Sequence, residues 1–265
     1  MDLQIEGKTA FISGSTAGIG WATARQLAEE GATVIINGRT ADRVDAAVER
    51  ITDAVAGATV RGVAADLGTA DGVEKVTDAE PDIDILVNNV GIFEPSDFAD
   101  TDDEAWMKHF EVNVMSGVRL TRHYLPGMKK RGWGRVVFVS SESGVQIPEE
   151  MIHYGVTKTA QIGLARGIAE TTKGAGNVTV NSVLPGPTAS EGVGDFVERL
   201  AEEQGLTAEE IEEQFFNEAR PTSLLQRFEE PEEIASMIAY VCSENASATN
   251  GAALRVDGGV VRSAF

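Results

Sequence analysis

A tyrosine and a lysine four positions apart, Tyr154 and Lys158, stand thirteen residues after a serine, Ser141. On a helix, positions i and i+4 share a face, so a helix over 154–173 would set the ammonium against the phenol. A free phenol titrates at about pH 10 and is a poor acid or base near neutrality. A cation fixed a few ångströms away favours the phenolate and is expected to bring its pKa toward the working range. Ser141 follows the apolar run Val136-Val137-Phe138-Val139, which reads as a buried strand of a parallel sheet. A hydroxyl at the carboxyl end of such a strand lies where open α/β sheets bind ligands. By the same alternation Ser140 should point to the opposite side. His153 adjoins Tyr154, and adjacent helical residues do not share a face, so it should line the pocket or point elsewhere.

Far upstream lies a second chemical signal, Ser13-Gly14-Ser15-Thr16-Ala17-Gly18-Ile19-Gly20. It follows the strand-like Thr9–Ile12 and opens a helical stretch from Trp21 through Glu30. Glycines at 14, 18 and 20 permit a tight turn and let backbone amides approach a pyrophosphate at a positive helix end. The spacing is one residue longer between the first two glycines than in the commonest dinucleotide fingerprint. The strand–loop–helix context favours that reading over an ordinary glycine turn.

The elements that must position these groups alternate along the chain. Strands are expected at Thr9–Ile12, Thr33–Ile36, Thr59–Val63, Ile83–Val87, Val136–Ser140, Val178–Val183 and Ala253–Val256. Helical patterns fall around 19–30, 41–55, 70–79, 103–130, 154–173 and 231–243, with 103–130 as two consecutive helices or one bent one. Alternation of this kind predicts an α/β fold, a doubly wound parallel sheet with helices on both faces. Residues 186–230 form a long insertion in which Glu198–Gln204 and Ala208–Ala219 look like two short amphipathic helices. No repeat, linker or low-complexity tract interrupts residues 1–265, so a single domain is expected.

Bulk properties exclude several classes. A length of 265 residues with 42% hydrophobic and 24% charged residues suits a soluble α/β domain. The net charge of −20, from 42 acidic and 22 basic residues, argues against nucleic acid or an anionic membrane as partner. It is also compatible with a salt-adapted organism. No apolar run reaches a bilayer span, and Met1–Glu6 lacks the pattern of a signal peptide. The single cysteine, Cys242, forms no internal disulfide and reads as a small buried residue, so a reducing cytoplasm is the expected location. Residues 142–153 and 187–225 show no metal-binding code.

Taken together, Gly14-x-x-x-Gly18-x-Gly20, Asp66, Asn88-Asn89-Val90-Gly91, Asn113, Ser141, Tyr154-x-x-x-Lys158, Pro185-Gly186 and Arg255-Val256-Asp257-Gly258-Gly259 resemble the single-domain short-chain dehydrogenases/reductases. The resemblance covers nearly the whole chain, from Gly7 to about Val261, and implies a seven-stranded Rossmann-type sheet. It implies reversible hydride transfer between a nicotinamide cofactor and a ketone or secondary alcohol. Tyr154 would be the general acid/base, and Lys158 would hold the nicotinamide ribose. Ser141 would orient the substrate oxygen, and Asn113 would hold a water in a proton relay. Cofactor contacts would come from Gly14, Ser15, Thr16, Gly18, Ile19, Gly20, Gly38, Arg39, Asp66, Leu67, Asn89, Gly91, Tyr154, Lys158, Pro185, Gly186, Thr188 and Ser190. Val90 stands where the family has alanine, and Ser190 replaces the usual threonine.

At Gly38 the family's NAD-preferring members carry a carboxylate; here a glycine is followed by Arg39, whose guanidinium suits the 2′-phosphate of NADP(H). Ala17 lacks the basic residue that often accompanies this, so NADP(H) is expected to be preferred with NAD(H) possible. The segment 187–225 would close over the substrate. Gln146, Met151, Val193 and Phe196, with Ser141 and Tyr154, would line a mainly apolar pocket for a small ketone, sugar or polyol. A 3-oxoacyl thioester carried by acyl carrier protein is the alternative substrate. Its carrier is acidic, and Lys129-Lys130-Arg131 is the only dense basic cluster available to meet it. A non-catalytic dinucleotide sensor is the reading of a different class. It would be expected to lose Tyr154, Lys158 or Ser141, and all three are present. A sugar-nucleotide epimerase would carry a longer carboxyl-terminal substrate domain. Apolar residues on more than one face of 103–130 and 154–173 need a second partner, and the family supplies one in a homotetramer.

Overall fold

The computed structural model describes residues 2–264, apart from the side chains of residues 191, 192, 195, 196, 198, 202 and 203. Seven strands, β1 (Thr9–Ile12), β2 (Thr33–Gly38), β3 (Val60–Ala64), β4 (Ile85–Asn88), β5 (Trp133–Val139), β6 (Asn177–Pro185) and β7 (Ala253–Val256), form one sheet in the order β3-β2-β1-β4-β5-β6-β7. Every pairing is parallel. Because side chains alternate, each strand feeds two cores. Phe11, Ile35, Leu86, Val136 and Phe138 pack on one face; Ile12, Ile36, Val87, Val137 and Val139 pack on the other. Strands buried on both faces must be almost continuously apolar, which explains their Val/Ile-rich composition.

Helices α1 (Gly18–Glu29), α2 (Ala41–Ala54) and α3 (Ala70–Ala79) connect the first four strands. Then come α4 (Asp103–His109), α5 (Ser116–Arg131) and α6 (Ile152–Glu170); α7 (Glu191–Gln204), α8 (Ala208–Glu218) and α9 (Pro231–Cys242) complete the set. Strand order reverses between β1 and β4, and ligands of open α/β sheets bind in the crevice beyond the carboxyl ends at such a switch point. The glycine-rich loop leaves β1 there and Asn89 leaves β4 beside it.

Two of the boundaries that differ from the sequence pattern have identifiable reasons, and the 103–130 stretch resolves into one of its two expected forms. Strand β5 starts at Trp133, three residues before the apolar run, because it pairs with β6 from Trp133–Asn177 through Val139–Val183. The polar Arg135 is accommodated at 0% exposure: its Nε donates to the Ser243 carbonyl and its Nη1 to the carbonyls of Gly134 and Asn177. Strand β2 runs on to Gly38 because the buried Asn37 donates from Nδ2 to the Val63 and Ala65 carbonyls of and beyond β3. The 103–130 stretch is two helices joined by a π-helical turn, Phe110–Met115. The single cysteine, Cys242, is buried in α9, and desolvation pushes its thiol up to about 12, which makes it inert.

Candidate active site

Two of the loop glycines are required by conformation. Gly14 (φ 60°) and Gly18 (φ 54°) adopt the left-handed region that disfavours side chains. A Cβ at Gly20 would lie 2.6 Å from both the Asn89 Nδ2 and the Gly14 carbonyl oxygen, so only glycine lets loop and helix close together. Asn89 ties that approach by donating from Nδ2 to the Ser13 and Gly14 carbonyls. Helix α1 begins here, and no side chain caps its first turn, since Ala17 occupies the N-cap. An uncapped helix N-terminus beside a glycine loop has the donor chemistry that a pyrophosphate requires, so these residues fit a dinucleotide.

Some expected cofactor contacts are redirected by the fold. The Ser15 hydroxyl is fully buried, donating to the Ile12 carbonyl at 2.6 Å and accepting from the Asn37 amide, so it braces the loop and offers a ligand no side chain. Leu67 is buried in the core, leaving only its backbone toward the crevice. Asp66 is exposed and accepts from the Gly68 amide, and Thr69 caps α3. Arg39 is exposed after β2. Gly38 has less room than expected: a Cβ there would meet the Thr16 Cγ2 at 2.5 Å and the Val44 Cγ2 at 3.2 Å.

Beyond the switch point a cavity of about 540 Å³ opens between the sheet and helices α7 and α8. Ile19, Asn89 and Gly91 line it on the glycine-loop side, Pro185, Gly186, Thr188 and Ser190 at the end of β6, and Ser141, Met151, Tyr154 and Lys158 at its centre. Val193 reaches it from α7. Gln146 does not line it. That side chain is exposed and its Nε2 reaches toward the Thr222 hydroxyl at 3.5 Å, because Val145–Ile147 is an outward loop. Phe196 lies outside the described side chains.

Tyr154 and Lys158 share a face of α6 as their spacing requires, with Nζ 5.5 Å from the phenol ring centre. Lys158 is 4% exposed and its Nζ donates to the Val139 carbonyl at 3.1 Å. Burial pulls the ammonium down to about 8. The phenol departs from the sequence expectation. Burial first, then the Glu142 carboxylate, push Tyr154 up from its ordinary value; a hydrogen bond with Ser141 and the Arg220 charge pull it partly back. Lys158 is not among the groups that move this phenol, whose balance is set by burial and Glu142 against Ser141 and Arg220. The Ser140 hydroxyl is engaged: it donates to the Lys158 carbonyl, tying β5 to α6, although the residue borders the same cavity.

Asn113 sits in the π-helical turn and is 1% exposed. Its Oδ1 accepts from the Ile92 amide at 2.7 Å, and its Nδ2 donates to the Ile92 carbonyl and to the Thr157 hydroxyl. The side chain is thus a clamp between the loop after β4 and α6. Its backbone carbonyl accepts from the Gln161 Nε2. His153 packs edge-on against His109, ring centres 4.2 Å apart, and against Trp106, away from the catalytic pair.

The structure adds three residues that motif reading missed. Glu142, next to Ser141, is 4% exposed and accepts hydrogen bonds from the Ser141 and Ser143 hydroxyls. Arg220, just beyond α8, donates from Nε to Glu142 and from Nη1 to Glu150, each at 2.9 Å. The one sequence signal was Arg220 itself, the lone basic residue between positions 200 and 226 of an acidic stretch. A further buried acid, Glu229, is 2% exposed; its Oε2 accepts from the Gly186 amide at 3.0 Å, while its Oε1 is unpartnered. Desolvation pushes its carboxyl up to about 8.

Comparison with known proteins agrees with this geometry. The family model described as enoyl-(acyl carrier protein) reductase matches residues 14–261. YvaG of Bacillus subtilis strain 168, an uncharacterized oxidoreductase, is 49% identical over 265 residues, covering 100% of both chains. D-beta-hydroxybutyrate dehydrogenase of Cupriavidus necator is 34% identical over 261 residues, covering 97% of this chain and 99% of its own. The structure of L-sorbose reductase from Gluconobacter frateurii, complexed with NADPH and L-sorbose, superposes with a TM-score of 0.93 at 32% identity, over 99% of this chain and 100% of that one. The chain belongs to the short-chain dehydrogenase/reductase family. It is a nicotinamide-dependent oxidoreductase of the kind that acts on carbonyl and alcohol groups.

Proposed function

We propose that this enzyme reduces a small ketone, of the sugar, polyol or simple ketone kind, and oxidises the corresponding secondary alcohol, preferring NADP(H). The observation that carries this reading is the shared wall: Ser141, Tyr154 and Lys158 line one cavity with the glycine-loop residue Ile19. The cofactor supplies or accepts the hydride when bound. The chain's own residues handle position and proton. Tyr154 gives its proton to the substrate oxygen in reduction and takes it back in oxidation; a phenol raised by burial is protonated at neutral pH and so ready to donate. Ser141 holds that oxygen against the phenol, and Lys158 holds the nicotinamide ribose from the floor of the cavity. Asn113 positions α6 through Thr157 and offers its backbone carbonyl to a relay water.

The uncapped start of α1 takes the pyrophosphate, with the Thr16, Gly18, Ile19 and Gly20 backbone around it. Arg39 grips the 2′-phosphate, and Thr188 and Ser190 take the nicotinamide carboxamide. The NADPH in the sorbose reductase structure supports the cofactor preference, and the sugar beside it supports the substrate class. The catalytic unit spans residues 1–265, with roughly 187–225 as its lid. It works in a reducing cytoplasm as a homotetramer, where its single thiol stays free. Among the described residues no helix is long and apolar enough to cross a membrane.

Turnover of a panel of neutral ketones, acyl thioesters and alcohols with each cofactor tests the reading. A neutral ketone with NADPH is expected to be turned over best. Replacing Tyr154 by Phe should lower kcat by about 10²–10⁴, the usual effect of losing a general acid. Cofactor affinity should hardly change. A Tyr154→Phe enzyme of near wild-type rate removes the assignment, and turnover confined to acyl thioesters replaces the substrate class.

A further inference from the structure

We infer that the Glu142–Arg220–Glu150 cluster is a charge filter that admits uncharged ketones and alcohols and turns carboxylate substrates away. An arginine at the end of a substrate cavity ordinarily signals a bound carboxylate, which its planar fork grips through paired N–H donors. Here the guanidinium is already engaged. Its Nε donates to the Glu142 Oε1, and its Nη1 donates to the Glu150 Oε1 and to the Ala219 carbonyl. Arg220 is 7% exposed and packs over the Phe215 ring, 5.7 Å from its centre, so it has little freedom to turn toward a ligand. All three members line the same cavity as Tyr154.

The cluster carries one more negative than positive group. The excess is not cancelled elsewhere: among the described residues, the ionisable side chains lining the cavity are Glu142, Glu150 and Glu218 against Lys158 and Arg220, with Tyr154. Lys158 is the second cation of this lining and Glu218 its third carboxylate, so the cavity as a whole still carries one more negative than positive group. A carboxylate entering this cavity meets a lining with an excess of like charge, whereas an uncharged group of the same shape does not. The discrimination matters because proteins of comparable similarity are named for opposite cases: one for hydroxybutyrate, a carboxylate, and one for L-sorbose, an uncharged sugar.

The filter rests on the small-ketone reading, and the test separates the two. Acetoacetate and methyl acetoacetate present one ketone with and without a charge. The NADPH-loaded wild type is expected to favour the ester by about a hundredfold in kcat/KM, the scale that a like charge at close range imposes. Glu150→Gln removes a half-buried carboxylate, leaves Arg220 paired with Glu142, and should raise the acetoacetate-to-ester ratio about tenfold. Acetate binding to the same holoenzymes, read from the fluorescence of bound NADPH, is the second measurement. It should tighten about tenfold in Glu150→Gln. If neither ketone is turned over while acetate behaves as stated, the small-ketone reading falls and the filter stands. Equal use of acid and ester by the wild type, or an acetate affinity unmoved by Glu150→Gln, overturns the filter.

Discussion

Replacing Glu229 by Gln should make the protein more stable in alkali and leave it nearly unchanged in acid. Glu229 lies just before α9, 2% exposed, between the Pro185-Gly186 turn and the Asp257-Gly258 loop. Burial is the main cause of a carboxyl raised from 4.5 to about 8, and the nearby Asp257 and Glu233 push the same way. The native state then holds a proton between these two values that the unfolded chain has released. Stability therefore falls as pH rises through that window, and is fully present only below the unfolded value. A difference of 4.5 against about 8 corresponds to a loss on the order of 5 kcal/mol at 1.36 kcal/mol per unit, as an upper bound. Gln is nearly isosteric, its amide oxygen can still accept from the Gly186 amide, and it has no proton to lose. Urea unfolding of both proteins at pH 5 and pH 9 measures the effect. The variant should match the wild type within about 1 kcal/mol at the lower pH and exceed it by a few kcal/mol at the higher. An equal difference at the two pH values would refute the reasoning, because a packing or hydrogen-bond effect does not depend on pH.

Three other outcomes follow from the geometry. Arg39→Ala should weaken binding of NADP(H) far more than NAD(H), measured by titration of each cofactor; equal losses would mean that Arg39 acts through general electrostatics. Gly38→Asp, which motif comparison alone would choose as a switch toward NAD(H), should instead weaken both cofactors. Its Cβ would force Thr16 aside in the glycine-rich loop, and an unchanged affinity for NAD(H) would count against that. Light scattering at micromolar protein and moderate salt should show a tetramer, and a fully active persistent monomer would remove the assembly proposal.

Much of this protein is legible without coordinates, for reasons rooted in short-range chemistry. A continuous apolar run over 136–139, a glycine loop between strand and helix, and a Tyr-x-x-x-Lys spacing each depend on neighbours within a few residues. They were enough to lay out the seven strands in chain order and to group Ser141, Tyr154 and Lys158. What eluded the sequence depends on residues far apart. Arg135 could enter β5 only because carbonyls of residues 134, 177 and 243 converge on its guanidinium. Ser15 looked like a ligand contact until the fold placed Asn37 and the Ile12 carbonyl against its hydroxyl. The room at Gly38 was decided by Thr16 and Val44, and the fate of Gln146 by an outward loop. The phenol gives the sharpest contrast. Helical spacing alone put a lysine beside Tyr154, whereas its protonation depends on how much water the whole site excludes and on Glu142, which is itself held by Arg220 from 78 residues away. Spacing determines which groups can meet; only the packed tertiary structure determines the dielectric and the long-range charges they meet in.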